Sequence, residues 1–338
     1  MNNPKKILIV GAGGFIGGFI AAKALALGYE TWVAVRETTS RRYLTDPGLN
    51  FITLDYDDQT QVAKALTEAL PEGEKWNYII YNLGATKCAN FLDFKRINYT
   101  YLRNFVETLK QIDLVPEKFL YMSSLSAIGP YDEDNYTPAT SSTFANPNTA
   151  YGLSKVQSET YLENISGIPY LIFRPTGVYG PHEKDYLMMI QSIDRHIAFG
   201  VGFKKQLLTF IYVEDLVQAM FQALESPAAI RKKYIISEDR AYTQQEFRRI
   251  VAEELGRKFV LPVKLPLWAL YAASYVAEKW GKITIKPSTL NRDKYKIMKQ
   301  RNWTADISDA RADFNFNPVF DLRKGIHETV KEYLRRKG

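Results

Sequence analysis

Lys6-Ile-Leu-Ile-Val-Gly-Ala-Gly-Gly-Phe-Ile-Gly-Gly18 is the stretch on which the reading of this chain turns. An apolar run at 7–10 breaks into glycine, and Phe15, Ile16, Phe19, Ile20 and Ala24 then recur at helical spacing. Gly11, Gly14 and Gly17 fall in the order G-x-x-G-x-x-G. Such a strand–turn–helix combines a tight turn, a backbone that can touch a pyrophosphate, and a helix packed closely on a sheet. A phosphate would then meet free N–H groups and the positive end of the helix dipole. Gly11, Gly13, Gly14, Phe15, Ile16 and Gly17 are therefore the expected phosphate-side residues. Two rivals are weaker. A secretory leader is poorly served by a run holding five glycines and ended by Lys23. A strand–turn–helix without a ligand remains open at this point.

Composition sets wide bounds. The chain has 338 residues, 46% apolar and 24% charged, which suits one large or two modest globular domains. Cys88 is the sole cysteine, so no intrachain disulfide can form and a reducing, cytoplasmic setting is expected. No integral membrane span is expected. The net charge of +7 comes from scattered basic residues, and the runs at 231–233 and 335–337 lack interleaved aromatics, so no nucleic-acid partner is expected. His182, His196 and His327 have no metal-ligand spacing, and no metal is expected.

Strand-like segments at 31–35, 50–54, 76–81, 118–122 and 169–173 alternate with helical ones at 59–70, 91–112 and 149–165. This alternation predicts an α/β fold, a Rossmann doubly wound parallel sheet with helices on both faces. Arg36 follows the second strand, where an acidic residue would hold the ribose 2′-hydroxyl of NAD. A guanidinium fork there suits a 2′-phosphate instead, and Arg41 and Arg42 stand near. NADP(H) is thus expected over NAD(H), the alternative being an exposed strand-end arginine. Asp55, beside Tyr56, is either an adenine-side acceptor or a cap. Leu83, Gly84 and Ala85 form a small-residue strand exit of the kind that faces a cofactor.

Tyr151-Gly-Leu-Ser-Lys155 sets a phenol and an ammonium one helical turn apart. A nearby ammonium would stabilise the phenolate and bring a pKa near 10 toward the useful range. Such a tyrosine can protonate a carbonyl oxygen or deprotonate an alcohol. Ser123, Ser124 and Ser126 lie at the preceding strand end.

These segments together resemble the extended short-chain dehydrogenase/reductase family, which includes the NAD-dependent epimerase/dehydratases. The resemblance rests on the glycine turn, Asp55, Asn98, Ser123-Ser124, Tyr151 with Lys155, the 174–181 segment and the 210–216 segment. It implies Tyr151 as general acid/base, Lys155 on the nicotinamide ribose, Ser124 by preference on the reacting oxygen, and Asn98 in support. It also implies that Pro175, Thr176 and Val178 line the nicotinamide pocket, and that a homodimer forms through the 91 and 149 helices. Leu125 stands where sugar-nucleotide relatives often carry a third hydroxyl. That departure points toward the 3β-hydroxysteroid dehydrogenase and dihydroflavonol reductase branch, and leaves Ser124 and Ser126 as competing serines.

The second half is less patterned. Helices are expected at 186–199, 213–224 and 243–255, the last opened by a Thr243/Glu246 capping box, with strands at 233–237 and 259–261. The apolar 265–277 segment reads as a core-packing helix, with a substrate lid or a membrane-surface helix as alternatives. A last helix at 322–334 is capped by Asp321. The expected division is a dinucleotide-binding unit at 1–175 and 205–240, an interleaved substrate unit at 176–204 and 241–325, and a C-terminal helix end at 326–338. The leading expectation is an NADP(H)-dependent oxidoreductase acting on an apolar or mixed small molecule. A nucleotide-sugar epimerase or dehydratase and a non-catalytic dinucleotide-binding subunit are the alternatives.

Overall fold

The computed structural model describes residues 4–88, 90–284 and 290–337. Residues 1–3 of the leader weighed above, 285–289 of the expected substrate unit, and 338 lie outside the described residues. The first half runs β1 (Lys6–Val10), α1 (Phe15–Ala26), β2 (Glu30–Val35), β3 (Leu49–Thr53), α2 (Gln59–Glu68) and β4 (Tyr78–Tyr81). It continues with α3 (Phe91–Phe94), α4 (Tyr101–Gln111), β5 (Lys118–Met122), α5 (Ala150–Asn164) and β6 (Tyr170–Pro175). The second half holds β7 (Gly177–Tyr179), α6 (Lys184–Asp194), β8 (Ile197–Val201), β9 (Leu207–Tyr212), α7 (Val213–Glu225) and β10 (Lys232–Ile236). Then come β11 (Ala241–Thr243), α8 (Gln244–Glu254), β12 (Leu261–Leu265), α9 (Leu267–Thr284), α10 (Arg292–Lys299), α11 (Ser308–Phe314) and α12 (Leu322–Lys337).

Seven parallel strands form the main sheet in the order β10-β6-β5-β4-β1-β2-β3. Their near-continuous apolar runs follow from burial on both faces: β5 and β6 are buried throughout. One face packs on α1, α7 and α11, the other on α2, α4 and α5. Chain order reverses between β1 and β4, so the ligand crevice of such a sheet opens at the carboxyl ends of these strands. β10 returns to the main sheet beside β6, as the 233–237 reading expected.

A second cluster joins a three-stranded sheet, β11-β9-β7, to α6, α8 and α12. Thr243 and Glu246 form the expected capping box at the start of α8. The Asp321 carboxylate accepts from Lys324 N–H at 2.8 Å and so caps α12, which runs to Lys337 rather than 334.

Three expectations fail. The 186–199 helix ends at Asp194: His196 takes a left-handed backbone (φ 66°), and the next residues become β8, paired in parallel with β12. Pairing with a distant strand, Ile197 opposite Leu261, outweighs the local helical pattern. The 259–261 strand is displaced to Leu261–Leu265 for the same reason, because β8 sets its register. The 265–277 segment is a helix but not a core-packing one. Among the described side chains of α9, only Leu270, Ser274 and Glu278 are buried, while Trp268, Tyr271, Tyr275 and Val276 are exposed.

Candidate active site

The glycine turn fits a phosphate for reasons that separate its members. Gly11 has φ +83°, and a Cβ there would lie 2.7 Å from Leu83 N, so the β1 and β4 exits touch. At Gly17 a Cβ would meet Gly11 O at 2.5 Å, which explains the close seat of α1. Gly14 is different: the nearest atom to its Cβ would be Gly11 O at 3.7 Å, an ordinary contact. The protein itself leaves room at Gly14, the N-cap of α1; a ligand backed against that turn would not. Gly13 faces the Thr39 side chain, and Phe15 and Ile16 open α1.

Arg36 follows β2 directly, and its N–H is held by Thr39 Oγ1 at 3.0 Å. The Arg41 guanidinium lies over Phe51 of β3, 4.4 Å from the ring centre, and that of Arg42 over Tyr43 at 4.3 Å. Among the described residues none of these guanidiniums pairs with a carboxylate. Asp55 accepts from Asp57 N–H at 3.1 Å, the bond of a turn at the β3 exit. The Tyr56 side chain is buried and stacked on Tyr101 at 5.6 Å, so any contact it makes with a ligand falls to its backbone.

Across the crevice, Leu83, Gly84 and Ala85 leave β4. Asn98 grips the Ala85 peptide from both sides: its Oδ1 accepts from Ala85 N–H at 2.7 Å, and its Nδ2 donates to Ala85 O at 3.1 Å. The same Nδ2 donates to Ser154 Oγ at 2.9 Å. Asn98 can do this because Lys95–Thr100 is a π-helical turn between α3 and α4, an insertion that re-aims one side chain. Sequence periodicity read this whole stretch as one helix.

Tyr151 and Lys155 sit on α5, whose first turn is capped by Thr149 accepting from Gly152 N–H at 3.0 Å. Phe94 braces the Tyr151 ring at 6.1 Å. Burial raises the phenol above its ordinary pKa, and a hydrogen bond with Ser124 works against that rise. Ser124 also caps the short turn Leu125–Ala127 by accepting from Ser126 N–H. Lys155 Nζ donates to Met122 O at 2.7 Å and lies 5.9 Å from the Tyr151 ring centre. Burial drives its ammonium down to about 7, against the pull of Glu159. In this arrangement burial is the largest influence on both groups, raising the phenol and lowering the ammonium.

Sequence reasoning missed the group behind these residues. Ser123 donates to Glu159, whose carboxylate receives a bidentate pair from Arg174, with Arg174 Nε to Oε1 at 3.0 Å and Nη2 to Oε2 at 2.5 Å. All three side chains are buried. Glu159 lies one and two helical turns beyond Lys155 and Tyr151, so the i, i+4, i+8 spacing was a usable signal. Asp293 of α10 carried no such signal; its Oδ2 accepts from Ala150 N–H at 2.7 Å and Tyr151 N–H at 3.3 Å. Asp185 of α6 links the lobes by accepting from Lys87 at 2.5 Å and Lys294 at 3.0 Å. Burial pushes its carboxyl upward, but the two ammoniums hold it below its ordinary range.

Pro175 ends β6 and Val178 lies in β7, packed on the main core. Thr176 Oγ1 is buried with no hydrogen-bond partner among the described residues. An orphaned hydroxyl at a strand end is unusual enough to fit a ligand group. Ser124 and Arg36 thus mark two ends of one sheet edge, three strand spacings or about 14 Å apart.

A Rossmann sheet carrying a glycine-turn crevice and a Ser–Tyr–Lys group defines a dinucleotide-dependent enzyme. The NAD dependent epimerase/dehydratase family model matches residues 7–237, and the chain belongs to that family, within the extended short-chain dehydrogenase/reductases. A Methanocaldococcus jannaschii protein named for UDP-glucose 4-epimerase is 28% identical over 237 residues, covering 64% of this chain and 73% of that one. Ceramide reductase of Caulobacter vibrioides is 24% identical over 327 residues, covering 97% and 94%. The UDP-glucose 4-epimerase of Thermotoga maritima, solved with UDP-glucose, superposes with a TM-score of 0.78 at 19% identity, covering 98% and 100%.

Proposed function

We infer that this enzyme is an NADP(H)-dependent reductase of a carbonyl on an apolar or mixed small molecule. The observation that carries the reading is the half-buried Tyr151 phenol on α5, braced by Phe94 and standing beside Lys155 and the Ser123–Ser124 exit of β5 at the carboxyl edge of the sheet. A phenol kept neutral is the form that gives a proton to a carbonyl oxygen as reduction proceeds. The nicotinamide, when bound, supplies the hydride. Ser124 is proposed, ahead of Ser126, to hydrogen-bond the reacting oxygen together with Tyr151. Lys155 would hold the nicotinamide ribose, and Asn98 keeps the Gly84–Ala85 wall in place beneath it.

The cofactor preference rests on Arg36, with Arg41 and Arg42 in the same loop. Unpaired guanidiniums at this strand end attract a 2′-phosphate and repay none of their charge to a local carboxylate. Residues 176–204 and 241–325 are proposed to build the substrate pocket, and helices α4 and α5 a homodimer contact. The ceramide reductase relative supports a lipid-like substrate, since it aligns along nearly the whole of both chains.

A second reading, a nucleotide-sugar epimerase, is favoured by the Methanocaldococcus jannaschii relative. Leu125 counts against it, because it buries an apolar side chain where a third hydroxyl would stand. The test is a panel of apolar ketones and aldehydes beside UDP-sugars, read by nicotinamide absorbance. Consumption of NADPH by a member of the carbonyl set supports the reductase. Conversion of a UDP-sugar with no net change in absorbance replaces it with the epimerase.

A further inference from the structure

Helix α9 is built inside out. Its buried stripe, Leu270, Ser274 and Glu278, is largely polar, with Glu278 paired to Arg292 at 2.9 Å. Its outer face carries Trp268, 76% exposed, Val276, 66% exposed, and the exposed Tyr271 and Tyr275. Soluble helices turn the opposite faces to water. No described helix is long and apolar enough to cross a membrane, so this face is not part of a span.

The apolar surface extends past the helix. Gly202, at the end of β8, packs against Leu267 at the start of α9. The paired strands β8 and β12 set Ile197 opposite Leu261 and Phe199 opposite Val263, and Ile197, Phe199 and Leu261 are all exposed. Phe203, 69% exposed, lies under Lys264 at 6.0 Å, and Tyr275 lies near Lys279 at 5.7 Å.

Charge decides among the occupants. Residues 195–206 and 255–277 hold six Lys/Arg and no Asp/Glu. Lys204, Lys258 and Lys264 pair with no carboxylate among the described residues. A second copy of the chain would bring the same cations against these, and like charges at a desolvated contact are costly. Aromatic side chains at the apolar–polar boundary with lysines beside them suit a lipid headgroup layer, and unbalanced positive charge suits an anionic one.

We propose that the outer face of α9, with the β8–β12 strands, docks flat on an anionic lipid bilayer. This surface is one helix away from the catalytic group: α9 packs on α10, whose Asp293 holds the N–H of Tyr151. Docking brings the lobe around the site against the membrane, whatever substrate the site takes. It is read by binding rather than turnover, so it stands or falls apart from the reductase reading.

The test uses the purified full chain with vesicles of phosphatidylcholine alone and of phosphatidylcholine doped with phosphatidylglycerol. Co-sedimentation is paired with quenching of tryptophan fluorescence by brominated lipid, which reports chiefly Trp268 and Trp280, since Trp32 and Trp76 are buried and Trp303 is half-buried against the Leu125 cluster. The expected result is binding to the doped vesicles with quenching, weakened by salt. A W268S/Y271S/V276S variant should lose it, and Lys264→Glu and Lys279→Glu should each weaken it about fivefold. Circular dichroism confirms that each variant is folded, and the lysine variants keep the test decisive if the triple variant is not. Failure to bind either vesicle overturns the proposal, as does binding that these variants leave unchanged. Light scattering that shows a dimer dissolved by Trp268→Ser, without vesicle binding, assigns the face to a second copy instead.

Discussion

Helices α5 and α9 both break the amphipathic rule, in opposite senses. α5 buries Ser154, Lys155, Ser158 and Glu159, and each finds a partner: Tyr151 O, Met122 O, Asn98 O and Arg174. α9 buries little and turns its aromatics outward. In the first, inward polarity is satisfied by a closed set of bonds that fixes the reacting groups. In the second, Tyr295 and Arg292 of α10 meet Tyr271 and Tyr275, while Trp268 and Val276 stay largely exposed. A pattern violation thus marks function in both, but only in α5 does the molecule itself contain the explanation.

The comparison can be broken at α5 first. Tyr151→Phe removes the proton donor and keeps the ring against Phe94, so turnover should fall by about 10²–10⁴-fold with little change in stability. Steady-state rates and a melting curve together check this, and unchanged turnover would remove Tyr151 from the chemistry. Arg174→Met leaves the Glu159 carboxylate buried and unpaired, and should cost about 3–5 kcal/mol in denaturant unfolding. A smaller loss would mean that Ser123 alone satisfies Glu159.

Arg36→Glu should weaken NADPH by about 1.5–3 kcal/mol, the range for hydrogen bonds to charged groups, and leave NADH nearly unchanged. Titration by fluorescence checks the contrast between the two nucleotides. Lys155 gives a pH signature. Its folded pKa of about 7 lies below the ordinary 10.5, so between those values the unfolded chain holds more protons. Unfolding free energy should therefore rise with pH across that window, by at most ~1.4 kcal/mol per pH unit. Lys155→Met should flatten the slope, and a slope that persists would assign it elsewhere. The smallest effect belongs to α9: Trp268→Ser should shift stability by less than about 0.5 kcal/mol, because the indole is exposed. A large loss would show that the outer face is packed after all.

What could be read in advance was whatever lies close together along the chain. The β1–glycine–α1 turn, the Tyr151/Lys155 pair and the Thr243/Glu246 cap are each settled within about one or two helical turns. The order of the strand–helix units predicted the sheet as well, because parallel strands buried on both faces leave apolar runs. The Asn98 grip was hidden by a π-helical turn that keeps the helical look of 91–112. Glu159, Arg174 and Ser123 owe their roles to partners up to 36 residues away. The end of α6 was misread because β8 is a strand only by virtue of β12, and the exposure of α9 was misread because apolar content does not say which way a face points.

The central claim is best tested on the cofactor. Purified protein should be denatured, its supernatant assayed for nicotinamide nucleotide, and stripped protein titrated with NADPH and NADH. The account predicts exchangeable binding with NADPH held more tightly, as a reductase that renews its cofactor each turnover requires. Near-stoichiometric retained NAD, with no preference for the 2′-phosphate, would contradict it and assign the Tyr151 group to an epimerase or dehydratase.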